Sequence, residues 1–181
     1  MKKIFTLALT ICILNNAFAQ NSTNVLIKVF SNNYAKKETS DFVKGGFGLS
    51  GSYVYKWNKE NALIGTAGFS YNKFKLNAYG TPASVITYGA SAGYRRYIQK
   101  FYAQASLGYL DGSLFIEGLT NTTGPVNVPR SIGGSIGIGY DIKVSNGKAI
   151  TIFTDYNLYG KKAGFSSFNV GVGFSFTSDE D

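Results

Sequence analysis

The most regular pattern in the chain is its last segment, Ser167 to Phe176. Phe168, Val170, Val172, Phe174 and Phe176 share one parity, and Asn169, Gly171, Gly173 and Ser175 share the other. Successive strand side chains point to opposite faces, so this strand has one wholly apolar face and one small, polar face. A soluble sandwich would need more bulk on a neighbouring face than these glycines supply. A barrel in lipid needs the reverse, a continuous apolar exterior around a small or polar interior.

The same alternation recurs along the chain. Asn24 to Asn32 forms a first strand, with Val25, Ile27 and Val29 opposite Leu26, Lys28 and Phe30. Gly46 to Trp57 forms a second, and Ala62 to Lys75 a third after the tight polar turn Asn58 to Asn61. Asn33 to Asp41 is read as a loop, as is Asn77 to Ser84 with Gly80 and Pro82. The fourth strand sets Ile86, Tyr88, Ala90, Ala92 and Tyr94 against Thr87, Gly89, Ser91, Gly93 and Arg95. The fifth sets Phe101, Ala103, Ala105, Leu107 and Tyr109 against Tyr102, Gln104, Ser106 and Gly108. Ile116 to Arg130 is the longest connection, fifteen residues containing Pro125 and Pro129. The sixth strand places Ile132, Gly134, Ile136, Ile138, Tyr140 and Ile142 opposite Gly133, Ser135, Gly137, Gly139, Asp141 and Lys143. Asn146-Gly147 is expected to supply the positive backbone angles of a hairpin turn. The seventh strand, Lys148 to Tyr159, opposes Ile150, Ile152, Tyr156 and Leu158 to Thr151, Phe153, Asp155 and Asn157, and Gly160 to Ser166 leads into the closing strand.

Eight strands result, with long and short connections in strict alternation. The fold class implied is all-β, an eight-stranded antiparallel up-and-down transmembrane β-barrel with both termini and the short turns on the periplasmic side. Aromatics at both ends of the apolar faces fit two girdles at headgroup level. Tyr88, Tyr94, Phe101 and Tyr109 flank Ala90, Ala92, Ala103 and Ala105 in this way.

The N-terminus adds an address. Lys2 and Lys3, the apolar run Ile4 to Leu14 and Ala17-Phe18-Ala19 have the form of a signal peptide, with cleavage between Ala19 and Gln20. Residues 20–176 are then the barrel and 177–181 an acidic tail. Cys12, the only cysteine, lies in that signal, and Ile11 before it speaks against lipidation, so the mature chain has no thiol for a disulfide or a metal. Thirteen Tyr, fourteen Phe and 22 Gly fit strands rather than disorder or helix. Removing Lys2 and Lys3 from the 18 basic residues leaves sixteen against ten acidic. The lysines are scattered, without a basic helix or stripe, which disfavours nucleic acid and suits anionic lipid headgroups.

The alternation from Gly45 to Tyr55, the runs Ala90 to Arg95 and Gln104 to Tyr109, the signal peptide and the closing strand together carry a resemblance. The chain resembles the small outer-membrane β-barrel domain family, the porin-like single-domain barrels of Bacteroidota type, and more distantly the OmpA and OmpX type of eight-stranded barrel. The resemblance implies insertion into outer-membrane lipid by the barrel-assembly machinery, which reads a terminal aromatic. That role falls to Phe176, with Phe168 and Phe174 in the same strand, although Thr177 to Asp181 follow it in this chain.

The chain has no histidine, which removes the usual general base, zinc ligand and partner of a nucleophile. No enzyme, metal or cofactor is expected. The glycines of Gly133 to Gly139 sit in an alternating strand with no helix to follow, and so read as lumen glycines rather than a phosphate loop. Arg95, Gln104, Asp141, Lys143 and Asp155 share the inward parity. In so narrow a barrel their charges must pair or meet trapped water, so Arg95 is expected to pair with Asp141 or Asp155. Asn121, Pro125, Pro129 and Arg130 of the longest loop are the expected contact surface. The function expected is that of a monomeric structural or adhesion-like barrel. A narrow porin or a channel for hydrophobic solutes is the first rival, and a soluble lipocalin-type barrel, whose faces would be inverted, is the second.

Overall fold

The computed structural model describes residues 22–34, 43–76, 81–116, 124–159 and 166–178. The expected signal segment with Ala19 and Gln20, the loop residue Asn121 and the residues after Ser178 lie outside the described residues. Eight strands follow one another: β1 (Thr23–Tyr34), β2 (Val43–Lys56), β3 (Asn61–Leu76), β4 (Thr81–Ile98), β5 (Phe101–Ile116), β6 (Val126–Ser145), β7 (Lys148–Tyr159) and β8 (Ser166–Ser178). Each pairs antiparallel with its sequence neighbours, and β1 pairs with β8, so the sheet is a closed barrel without an edge.

Register ties the strands into a staggered spiral. From Lys56 the pairing runs through Ala62, Arg95, Gln104, Gly137, Asp155, Asn169 and Asn32, and returns to β2 at Gly46, ten residues from its start. Such stagger obliges the strands to tilt and leaves an eight-stranded barrel just wide enough for side chains to fill.

The predicted faces hold. Val25, Ile27, Val29, Leu107, Ile132, Ile136, Ile138, Val170 and Val172 point outward and are exposed. Aromatics stand above and below that aliphatic band: Phe47, Phe69, Tyr88 and Tyr109 towards the long connections, Trp57, Tyr94, Phe101 and Phe176 towards the short turns.

The strand ends differ from the sequence reading, and prolines explain part of it. Pro82 lies inside β4, pairing with Lys75, ahead of Ala83, where pairing with β5 starts, so its missing N–H removes no ladder bond. Pro129 and Arg130 lie inside β6 rather than in the loop. Leu110 pairs with Ser131 and Gly112 with Val128, so Pro129 and Arg130 together oppose the single residue Asp111. That is a β-bulge, one of the places a strand accepts proline. The longest connection therefore shrinks to 117–125. Gly147 takes φ 68°, but Asn146 is not among the positive-φ residues, and the register shifts between Lys143 and Ser145, so this turn closes with a bulge. β8 continues past Phe176, and Thr177 N donates to Gly147 O at 2.6 Å, which places Thr177 and Ser178 in the barrel rather than in a tail.

Candidate functional site

The interior is built in successive register rows. One row joins Tyr97, Tyr102, Gly139, Phe153, Gly171 and Phe30. Tyr97 and Tyr102 are direct cross-strand neighbours, while Gly139 and Gly171 separate Tyr102, Phe153 and Phe30 and make the room: a Cβ on Gly139 would overlap the Tyr102 ring, and one on Gly171 would press on Phe153. Tyr97 and Tyr102 pack edge to face at 5.9 Å, as do Phe30 and Phe153 at 6.5 Å. With Val54, Ala62 and Ile64 these side chains form a buried apolar core in the turn-side half of the lumen. The interior is thus not uniformly small and polar, as the closing strand alone suggested.

The next row towards the loops carries Arg95, Gln104, Gly137 and Asp155. Arg95 is 2% exposed. Its Nη2 and Nε donate to Gln104 Oε1 at 2.8 and 3.2 Å, its Nη1 to the Tyr97 hydroxyl at 3.2 Å, and its guanidinium lies 3.8 Å from the Tyr102 ring centre. Gln104 Nε2 then donates to Asp155 Oδ1 at 3.0 Å, reaching across Gly137, where a Cβ would overlap that same carboxylate oxygen. The expected pairing of Arg95 with Asp155 is realised through Gln104 rather than directly. The ion-pair partner of Asp155 is Lys28 at 3.7 Å, 3% exposed, with its ammonium 4.5 Å from the Phe153 ring centre.

Two members of the expected cluster stand apart from it. Asp141 shares a row with Thr151, Gly173 and Lys28, and the aromatic row separates it from Arg95. Its carboxylate accepts from Thr151 Oγ1 at 2.6 Å. Lys143 is exposed beside the β6–β7 turn, where the barrel end is open to solvent. Lys28 was missed, although its charge on the inward parity of a strand was the signal. Above the charged row the lumen is lined by small polar side chains, including Asn32, Ser70, Asn72 and Thr87. They bond in a chain, Asn32 Nδ2 to Asn72 Oδ1 at 3.2 Å, Asn72 Nδ2 to Ser70 Oγ at 3.1 Å and Ser70 to Thr87 at 2.8 Å. A cavity of about 140 Å³ reaches from this zone down to Lys28 and Asp155.

At the loop end, Arg130 is exposed and its Nε donates to Asp111 Oδ2 at 3.1 Å. Asp111 also accepts from Gly112 N at 2.8 Å and from the Tyr109 hydroxyl at 3.2 Å, so the bulge is fastened on both strands. Pro125 is exposed just before β6. Phe168, Phe174 and Phe176 all face outward, and Phe174 and Phe176 pack edge to face at 4.8 Å. Among the described residues no group of three or more metal-ligating side chains occurs.

No family model matches the chain, and no curated protein matches it in sequence. Solved structures do match. Ail, the attachment invasion locus protein of Yersinia pestis, in complex with the heparin analogue sucrose octasulfate, superposes with a TM-score of 0.58 over 86% of this chain and 99% of its own, at 15% identity. The chain has the fold of the small eight-stranded outer-membrane β-barrels. The same outer-membrane barrel fold is seen in the outer membrane protein OprG of Pseudomonas aeruginosa, with a TM-score of 0.59, 12% identity and coverage of 86% of this chain and 96% of that one. Neisserial surface protein A has it too, with a TM-score of 0.55, 19% identity and the same two coverages. What these neighbours share with this chain is the barrel fold.

Proposed function

We propose that this protein is an integral outer-membrane barrel, exported by its signal peptide, that is closed to solutes and acts through its loop-end surface in a structural or adhesion-like role. The observation that carries this reading is the filled turn-side half of the lumen, where the aromatic row and the Arg95–Gln104–Asp155–Lys28 network occupy the bore. The outward aliphatic band between two aromatic rows supports residence in lipid. Crossing a bilayer takes about 9–11 tilted residues, whereas β4, β5 and β6 have 18, 16 and 20. The excess lies beyond Tyr88 and Tyr109 on the loop side, so the β3–β4 and β5–β6 hairpins project as walls. Pro125, Pro129 and Arg130 lie at the end of the second wall, and with Asn121 of the connection 117–125 they are the contact surface of this reading. The protein works as a monomer in outer-membrane lipid, without nucleic acid or catalysis, and Phe176 with Phe168 and Phe174 presents the aromatic signal to the barrel-assembly machinery.

Two measurements test this. Unboiled protein runs faster on a detergent gel than boiled protein if it is a resistant membrane barrel. The same protein in planar bilayers shows no conductance steps. Steps in the unmodified protein would replace this reading with the second one, a narrow channel. That alternative draws on the cavity that reaches Lys28 and Asp155 from the loop side.

A further inference from the structure

The exterior is not evenly covered with bulk. On β2 to β6 an apolar groove of about 800 Å³ is floored by Gly65, Ala92, Ala105 and Gly134 and walled by larger side chains such as Tyr53 and Leu107. A Cβ added to Gly65 meets nothing within 4 Å, so the floor is open to the outside. The groove lies on the outward parity of β4, and that parity continues from Ala92 through Tyr94 to Arg96, about 14 Å along the strand at 3.4 Å per residue.

The turnward lip of the groove is polar, cationic and fixed. Asn58 Oδ1 accepts from the backbone N–H groups of Glu60 and Asn61 at 2.9 and 2.8 Å, which pins the β2–β3 turn. The Tyr94 hydroxyl donates to Asn61 Oδ1, and Trp57 packs on Tyr94 at 5.9 Å. Arg96 and Lys59 are exposed at this lip beside the acidic Glu60, and Lys100 is exposed in the β4–β5 turn beyond it, where its carbonyl accepts from Asp141 N at 2.8 Å. Arg96 and Glu60 meet at 3.7 Å, both more than 60% exposed, an arrangement that holds the guanidinium only weakly. The acidic residues Asp179, Glu180 and Asp181 follow β8, which is four strands away from β4 on either route around the barrel.

Resting on the outer-membrane reading, we infer that this groove is a binding site for one anionic glycerophospholipid of the turn-side leaflet. Its acyl chain lies over Gly65, Ala92 and Ala105, and its phosphate meets Arg96 with Lys100. The groove's volume falls in the range of small-molecule sites, its lining is apolar, and charge is concentrated at the one end where a headgroup would sit. A neutral or zwitterionic lipid fills the same floor without satisfying the lip.

The full chain in non-ionic detergent, titrated with phosphatidylglycerol or phosphatidylcholine and followed by native mass spectrometry, tests this. One phosphatidylglycerol per barrel is expected to be retained about tenfold more tightly than phosphatidylcholine, a difference of about 1.4 kcal/mol. Arg96→Gln with Lys100→Gln should erase that preference, Glu60→Gln should strengthen it, and Gly65→Leu with Ala92→Leu should weaken both lipids alike. Equal retention of the two lipids by the unmodified chain, or a preference untouched by the Arg96 and Lys100 changes, overturns the inference. Each variant is first checked for faster migration when unboiled. Loss of that shift in the unmodified chain counts against the membrane reading itself, whereas a retained shift without lipid preference counts only against the groove.

Discussion

Replacing Asp155 with Asn keeps the shape of the side chain and removes the counter-charge of Lys28. Lys28 is 3% exposed, and Asp155 is its only ion-pair partner among the described residues. Stranding a buried charge in this way costs about 3–5 kcal/mol, much of it the desolvation of the group left behind. Lys28→Met is milder. It leaves an aspartate that still accepts from Gln104 at 3.0 Å, so it forfeits one charge-assisted contact, about 1.5–3 kcal/mol. The double variant leaves neither a stranded ammonium nor an unmatched carboxylate. It should be destabilised by at least about 2 kcal/mol less than the sum of the singles, since contacting groups couple and distant ones add to within about 0.5 kcal/mol. The assay is urea unfolding in lipid vesicles, with the folded fraction read from the mobility of unboiled samples. Additive single effects would show that Lys28 and Asp155 contribute no coupling, and would refute the reading of the lumen as a plug held by paired charges.

Other outcomes follow from the same geometry. Gly139→Val, whose side chain would overlap Tyr102, should cost about 1–3 kcal/mol, while Gly65→Val on the open exterior should leave the unfolding midpoint nearly unchanged. Arg130→Gln should alter neither gel mobility nor conductance, because the bulge keeps the Gly112 and Tyr109 bonds to Asp111. Deleting residues 118–124 should leave the heat-dependent mobility shift intact and abolish binding to cells or matrix, if the loop is the contact surface. Phe176→Ala should slow insertion in vesicles containing the assembly machinery more than it slows spontaneous folding in detergent.

Parity was legible in the sequence and register was not. Alternation alone placed Ile136 outside and Gly137 inside, because it needs only the chain's own period of two. Who meets whom across strands depends on stagger, which is set by all eight strands together. Parity alone therefore offers Asp141 as a candidate partner of Arg95. Both point inward, but a row of aromatics separates them, and Gln104 bridges Arg95 to Asp155 instead. Lys28 escaped notice because β1 alternates poorly: Leu26 and Phe30 made its inner face look as apolar as its outer one. Those two side chains turn out to be interior packing. The prolines misled for a local reason, since Pro129 at a bulge and Pro82 ahead of the β5 pairing are positions a strand tolerates.

The glycine-spaced rows bear on how the barrel comes together. Lys28 and Phe30 belong to β1, made first, while Asp155 and Phe153 belong to β7, and the glycines Gly171 and Gly173 between them belong to β8, made last. An open sheet lacking the β1–β8 seam holds Asp155 without its ammonium and Phe153 without its ring partner. Sealing the wall and filling the bore are therefore one event, and a nascent chain remains unplugged until its final strand arrives.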